Sequence, residues 1–215
     1  MTPTLKKYQS KIAQLNPLTT SSFNYDAIRW SKLNPKAKAS VSAFENKKIS
    51  RQDVLAAYET YYHNEVDVIH PFTLTMIWGF SDNGYGTYRT NKYLETDKNS
   101  AAIKTSLDLV KADKLKEAYK TLQQIDGINI SYISKILYFA TRAAGHTHYA
   151  LIFDIRVARA LVTLLDPTIA SILEITPSPK FTHYIAYNTL LHKWAKELNV
   201  EAEAIEQFLF EGKFT

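Results

Sequence analysis

The sequence predicts an all-α protein, a two-lobed helical bundle, and three observations carry that expectation. Apolar residues recur at intervals of three and four along most of the chain. No stretch shows sustained alternation of apolar and polar residues bounded by turns, so a β-sheet is at most a minor feature. Gly, Pro, Asn and Asp fall between the periodic segments, where they end helices. With 215 residues, 46% of them hydrophobic, the chain can bury a core of its own.

The first 50 residues are weakly patterned and need a partner surface, for which the other end of the chain is the expected source. Ser50 with Asp53 reads as an N-cap and its reciprocal carboxylate, opening a helix over 51–63 whose Val54, Leu55, Tyr58 and Tyr61 face a core. A second apolar helix runs from Pro71 to Phe80. The segment Ser81-Asp82-Asn83-Gly84-Tyr85-Gly86-Thr87-Tyr88-Arg89 has the composition of a turn-rich loop. Helices follow near 99–111, 113–125, 131–144, 155–165, 180–198 and 201–211. Pro17, Pro35, Pro167, Pro177 and Pro179 punctuate the chain, yet no low-complexity linker or repeat divides it. One unit over 1–215 is expected, with lobe A built from about 1–100 and 180–215 and lobe B from about 101–179.

Composition excludes several chemistries. Without cysteine there is no disulfide framework, thiolate zinc site, cysteine nucleophile or cysteine-ligated iron–sulfur cluster. The 26 Lys and Arg against 21 Asp and Glu leave a net charge of +5, which favours a polyanionic partner without demanding one. Neither a signal-peptide core nor a window of roughly 18 uncharged apolar residues occurs, so a cytoplasmic protein with no membrane partner is expected.

The most informative stretch begins at Ile125. Gly127 and Asn129, separated by one apolar residue, both tolerate the left-handed backbone of a tight turn between the helix before them and the one opening near Ser131. An ordinary αα-turn has this pattern. So does a helix-hairpin-helix, which points backbone amides and a helix N-terminus at a DNA phosphate irrespective of base sequence. On the second helix lies Lys135, and 19 residues later Asp154 stands where it would cap the next helix. Between 128 and 160 the charged residues are Lys135, Arg142, Arg156 and Arg159 against Asp154 alone, which suits a phosphate-facing surface.

The phrases Ser134-Lys135-Ile136-Leu137-Tyr138-Phe139 and Phe153-Asp154-Ile155-Arg156-Val157-Ala158-Arg159 resemble the helix-hairpin-helix DNA glycosylases, and among them the bacterial and archaeal 8-oxoguanine glycosylases. The resemblance covers roughly residues 70–90 and 120–212. It implies a central DNA-binding cleft, with Lys135 and Asp154 as the catalytic pair and Gly127, Asn129, Ser131, Arg142, Arg156 and Arg159 against DNA. The family hairpin places its lysine two residues after the second glycine, whereas Lys135 comes six residues after Asn129 and Ser131 fills the earlier slot. Four residues move a side chain about 6 Å along a helix and about 40° around it. Lys135 would therefore act from one turn deeper; in the family register, Ser131 would mark a member without the strand-cleaving lysine.

The residue types suit the chemistry. Loss of a purine leaves positive charge at C1′, which a carboxylate stabilises. A desolvated lysine amine attacks the same carbon and holds the sugar as a Schiff base. The flipped base needs flat walls; Phe139, four residues after Lys135, is the expected wall on that helix face. Glu206-Gln207-Phe208-Leu209-Phe210 resembles the last family helix, which implies that Phe210 stacks on the base and Glu206 accepts from guanine N1–H and its 2-amino group. Core packing is the plain alternative for Phe208 and Phe210. Trp78-Gly79-Phe80 resembles a cleft-lining segment of the opposite lobe. His146 and His148 lack a third ligand, so neither metal nor other cofactor is expected. The expected protein is a monomeric enzyme that excises 8-oxoguanine from double-stranded DNA and nicks the strand. Its rivals are a non-catalytic helix-hairpin-helix module and a monofunctional glycosylase for another modified base.

Overall fold

A computed structural model describes residues 3–45, 47–63, 66–80 and 85–214. The protein is mostly helical, with one small two-stranded sheet among the described residues. Three short helices, α1 (Pro3–Lys6), α2 (Gln9–Ala13) and α3 (Pro17–Thr20), lead into β1 (Ser22–Asn24), which pairs antiparallel with β2 (Lys48–Ser50) around α4 (Pro35–Ala39). Then come α5 (Arg51–Tyr62), α6 (Ile69–Phe80), α7 (Gly86–Tyr93), α8 (Asp97–Lys111), α9 (Leu115–Leu122), α10 (Ile130–Ala143), α11 (Ile155–Leu165), α12 (Pro167–Ile172), α13 (Phe181–Leu198) and α14 (Ala202–Glu211). None of the described helices is long and apolar enough to cross a membrane.

The weakly patterned N-terminal segment folds against the C-terminal helix. α2 and α3 pack on α14. Tyr8 donates to the Phe214 carbonyl, Lys11 Nζ to that of Lys213 at 2.9 Å and Gln9 Nε2 to that of Leu198 at 2.7 Å. Short polar helices that cannot nucleate alone are thus held by tertiary contacts.

α5 starts as its sequence requires. The Asp53 amide donates to Ser50 Oγ at 3.2 Å while the Ser50 amide donates to Asp53 Oδ2 at 2.8 Å. α10 is buried all round from Ile133 to Ala140, charged Lys135 included, and packs against α5, α6, α8 and α9. A helix buried on every face lies at the centre of a core, and its polar side chains must find partners there.

Three expectations change. Residues 81–84 of the anticipated loop lie outside the described residues, but from Gly86 onward the chain is helix α7. Gly86 serves close packing rather than a turn: a Cβ there would fall 2.4 Å from Trp30 Cη2. α9 ends at Leu122 instead of 125, and Ile125 is buried beneath the turn that follows. The stretch after α11 holds an unanticipated helix, α12, capped by Asp166 with Pro167 in its first turn.

The turn between α9 and α10 uses its two permissive residues differently. Gly127 takes φ +76°. Asn129 is extended and caps α10, its side chain accepting from the Tyr132 amide at 3.4 Å. α7 braces this turn: Arg89 and Tyr93 both donate to the Gly127 carbonyl, at 2.9 and 2.8 Å, and Lys92 pairs with Asp126 at 2.7 Å.

Candidate active site

Between α10 and α11 the chain is neither helix nor strand, and it is buried from Tyr149 to Phe153. Buried backbone without a sheet partner needs side chains to satisfy it, and α10 and α13 supply them. The Ala150 amide donates to Thr141 Oγ1 at 2.8 Å, that of Leu151 to Asn188 Oδ1 at 2.6 Å and that of Phe153 to Ser134 Oγ at 3.0 Å. Tyr184 and Tyr187 donate to the Leu151 and Ile152 carbonyls at 2.8 and 2.7 Å. The segment delivers Asp154 to the N-terminus of α11.

Asp154 uses its two oxygens separately. Oδ1 accepts from the amides of Arg156 and Val157 at 3.0 and 3.1 Å, capping the helix. Oδ2 lies 3.6 Å from Lys135 Nζ. Lys135 in turn donates to Ser131 Oγ at 2.9 Å, so its long side chain reaches back along α10. The amine thus sits beside Ser131, one helical turn before Lys135 in the sequence. Gly79 of α6 makes room for that stem, since a Cβ there would lie 2.9 Å from Lys135 Cδ.

Lys135 and Asp154 share a cavity of about 510 Å³ with Ser131, Glu206 and Phe210. Phe23, Trp78 and Phe80 add aromatic surface, and Trp78 is oriented by its Nε1 donating to the Ser21 carbonyl at 3.0 Å. Burial pushes the Lys135 pKa down from its ordinary value; the Asp154 and Glu206 carboxylates oppose that shift and Arg51 adds to it. The result is a partly desolvated amine next to a carboxylate, a combination suited to nucleophilic attack beside developing positive charge.

Glu206 is fully buried and faces Arg51, also buried, with both Glu206 oxygens engaged by the guanidinium at 2.7 and 3.3 Å. Burial pushes the Glu206 carboxyl up, against the pull of Arg51. Burial likewise works against charge on Arg51, but Glu206 and then Tyr138 outweigh it and hold the guanidinium protonated. Behind this pair Tyr138 donates to Glu203.

Phe139 is not the wall that its helix face led one to expect. It is fully buried between Tyr58, at 5.9 Å between ring centroids, and Trp78, at 5.5 Å, and takes no part in lining the cavity. α5 and α6 cover the face it shares with Lys135, and only the long lysine side chain escapes; Trp78 presents the aromatic surface instead. Arg142 also lies away from the cavity, with its guanidinium 3.5 Å from Glu203 and over the Tyr149 ring. Arg156 is exposed, lies over the Phe210 ring at 4.9 Å and lines the cavity. Arg159 lines an adjoining groove of about 330 Å³ that shares Ile155, Arg156 and Phe210 with the main one. Gly127 and Asn129 shape the α9–α10 turn outside both. His146 lies 3.6 Å from Asp113 and His148 packs on His192. The described residues contain no group of three side chains suited to a metal ion.

Sequence reasoning missed Ser21, Phe23 and Arg51, all of which line the cavity. Arg51 carried a signal: it precedes Val54 and Tyr58 by three and seven residues, on the apolar stripe of α5, and an arginine there needs a buried anion. Ser21 and Phe23 carried none, because their places depend on the β1–β2 pairing.

Residues 16–210 match the model of a protein family described as "Putative 8-oxoguanine DNA glycosylase OGG-like protein". No curated protein and no solved structure matches the chain. The match spans both ends of the cavity lining, from Ser21 to Phe210, and the chain belongs to this OGG-like family of DNA glycosylases.

Proposed function

We propose that this protein excises 8-oxoguanine from double-stranded DNA and then nicks the strand, acting as a monomer with Lys135 as nucleophile and Asp154 as the stabilising carboxylate. The observation that carries the reading is the 3.6 Å approach of Lys135 Nζ to Asp154 Oδ2 in one cavity. The flipped nucleotide enters that cavity. The neutral amine of Lys135 attacks C1′ as the bond to the base nitrogen breaks, and the base leaves with that electron pair and takes up a proton. Asp154 Oδ2 stabilises the positive charge on the sugar during this exchange. Ring opening gives a protonated imine between Nζ and C1′. Loss of a proton from C2′ then expels the 3′ phosphate oxygen and breaks the strand, and water releases the lysine.

Phe210 stacks on the base and Glu206 accepts from its N1–H and 2-amino group. The α9–α10 turn, with Gly127, Asn129 and Ser131, works as a helix-hairpin-helix on the DNA backbone, with Arg156 and Arg159 on flanking phosphates. Two lobes, one of residues from about 1–100 and 180–215 and the other from about 101–179, would close on the duplex.

Borohydride trapping on 8-oxoguanine duplexes tests the proposal. The native chain should form a covalent adduct and Lys135→Gln none, while binding survives. Adduct formation by Lys135→Gln would remove Lys135 as nucleophile. Base release without trapping would make the enzyme monofunctional, and salt-sensitive binding with no release from any lesion would leave a non-catalytic module.

A further inference from the structure

We infer that Arg51 reads the target base: its Nε–H donates to the carbonyl oxygen at C6 of a guanine lesion, while the Glu206 carboxylate that it holds accepts from the donors beside that oxygen. The inference rests on the proposal that the cavity takes such a lesion. Arg51 is 1% exposed and lines the cavity. Its two terminal nitrogens are taken by Glu206, and Trp78 and Tyr138 approach it within 5.1 and 5.3 Å of their ring centroids. What remains is Nε–H, buried and without a protein partner. Buried donors are almost always satisfied, and an orphan in a cavity lining points to a ligand acceptor.

The surroundings define that acceptor. Among the buried charges that line the cavity, Arg51 and Lys135 are balanced by Glu206 and Asp154, Arg156 being exposed, so a phosphate placed against them would face two carboxylates; a neutral edge of mixed polarity suits the buried charges better. Glu206 has lone pairs beyond those given to Arg51, and a carboxylate offers about four acceptor sites. The pair therefore presents one donor next to acceptors. Guanine answers with O6 beside N1–H and the 2-amino group. Adenine would turn its 6-amino donor toward Nε–H, and cytosine would turn two acceptors toward the carboxylate.

The test changes one atom of the substrate and leaves the protein intact. Single-turnover base release is measured on duplexes carrying 8-oxoguanine or its 6-thio counterpart, which keeps N1–H and the 2-amino group but replaces the oxygen by a weak acceptor. The native chain should release the thio base more slowly, on the order of 10- to 100-fold. In Arg51→Met/Glu206→Gln, which removes both charges of the buried pair together, the two rates should converge. Equal rates in the native chain would overturn the inference, as would an undiminished thio effect in a variant whose thermal melt shows it folded. Should the double variant not fold, the two native rates alone decide. A native chain that releases neither base overturns the proposed function as well, and that outcome is distinct from equal release of both.

Discussion

The Phe153 amide donates to Ser134 Oγ at 3.0 Å, and these two residues immediately precede Asp154 and Lys135. One hydrogen bond therefore ties the backbone that carries the carboxylate to the helix that carries the amine. Ser134→Ala would leave a buried N–H without its partner, at a cost of about 1–3 kcal/mol. A lower melting temperature is expected, together with a slower single-turnover rate, because the 3.6 Å spacing of Lys135 and Asp154 loses its brace. Full activity in Ser134→Ala at a temperature where it is folded would show that α11 alone sets the spacing.

Asp154 has a cap to hold and a charge to supply, and the two separate on substitution. Asn is as good an N-cap as Asp, so Asp154→Asn should keep α11 and lose little stability. It removes the negative charge that the proposed mechanism sets next to the reacting sugar, and base release should fall on the order of 10²- to 10³-fold, the scale seen when one preorganised electrostatic contact is lost. Single-turnover rates and thermal melts on the same sample give the comparison; a loss of stability with an unchanged rate would reduce Asp154 to a cap.

Gly79 matters for what it lacks. A methyl there would meet Lys135 Cδ at 2.9 Å and Cε at 3.3 Å, and the lysine stem is the part free to yield. Gly79→Ala should therefore fold, because Ala is a better helix residue, but swing Nζ away from Asp154 and slow borohydride trapping relative to the native chain. Unaltered trapping kinetics would mean that the lysine finds its position by another rotamer.

How far the sequence could be read depended on what fixes each element. The long helices were legible because their apolar spacing and caps are local: Ser50 and Asp53 cap α5 as the pattern required. Lys135 and Asp154 were brought together from sequence only through resemblance, and the buried segment that leads to Asp154 depends on Asn188 and Tyr184, distant in sequence on α13. α7 was hidden because Gly86, a turn signal in sequence, answers to Trp30. Phe139 was misplaced because helical spacing gives a shared face but not how deep that face lies. The Arg51–Glu206 pair joins residues 155 apart, and no local pattern reports such a contact.

Phe139 and Phe210 should now behave differently. Phe139→Ala opens a void in the centre of the core, at a cost of about 3–5 kcal/mol, and should lower stability with no selective effect on base recognition. Phe210 is half-buried at the cavity and its removal should leave the melting temperature closer to native while weakening lesion binding. Chemical denaturation and lesion affinity, measured for both variants, check the pair; a stability loss for Phe210→Ala as large as that for Phe139→Ala would assign Phe210 to the core.

The pH dependence of the first chemical step follows from burial of Lys135. In the proposed mechanism only the neutral amine of Lys135 attacks, so the rate should rise with pH as Nζ loses its proton and then level off. Burial lowers that pKa from the ordinary lysine value of 10.5, which moves the rising limb to lower pH. Glu206 favours the protonated amine and Arg51 disfavours it. Removing the Glu206 charge in Glu206→Gln should therefore shift the limb further toward acid, since one of the two opposing carboxylates is gone, Asp154 alone remains, and Arg51 loses its partner. Single-turnover profiles for both chains give the sign directly. A limb that moves toward alkali in Glu206→Gln, or stays in place, would mean that the titrating group is not Lys135.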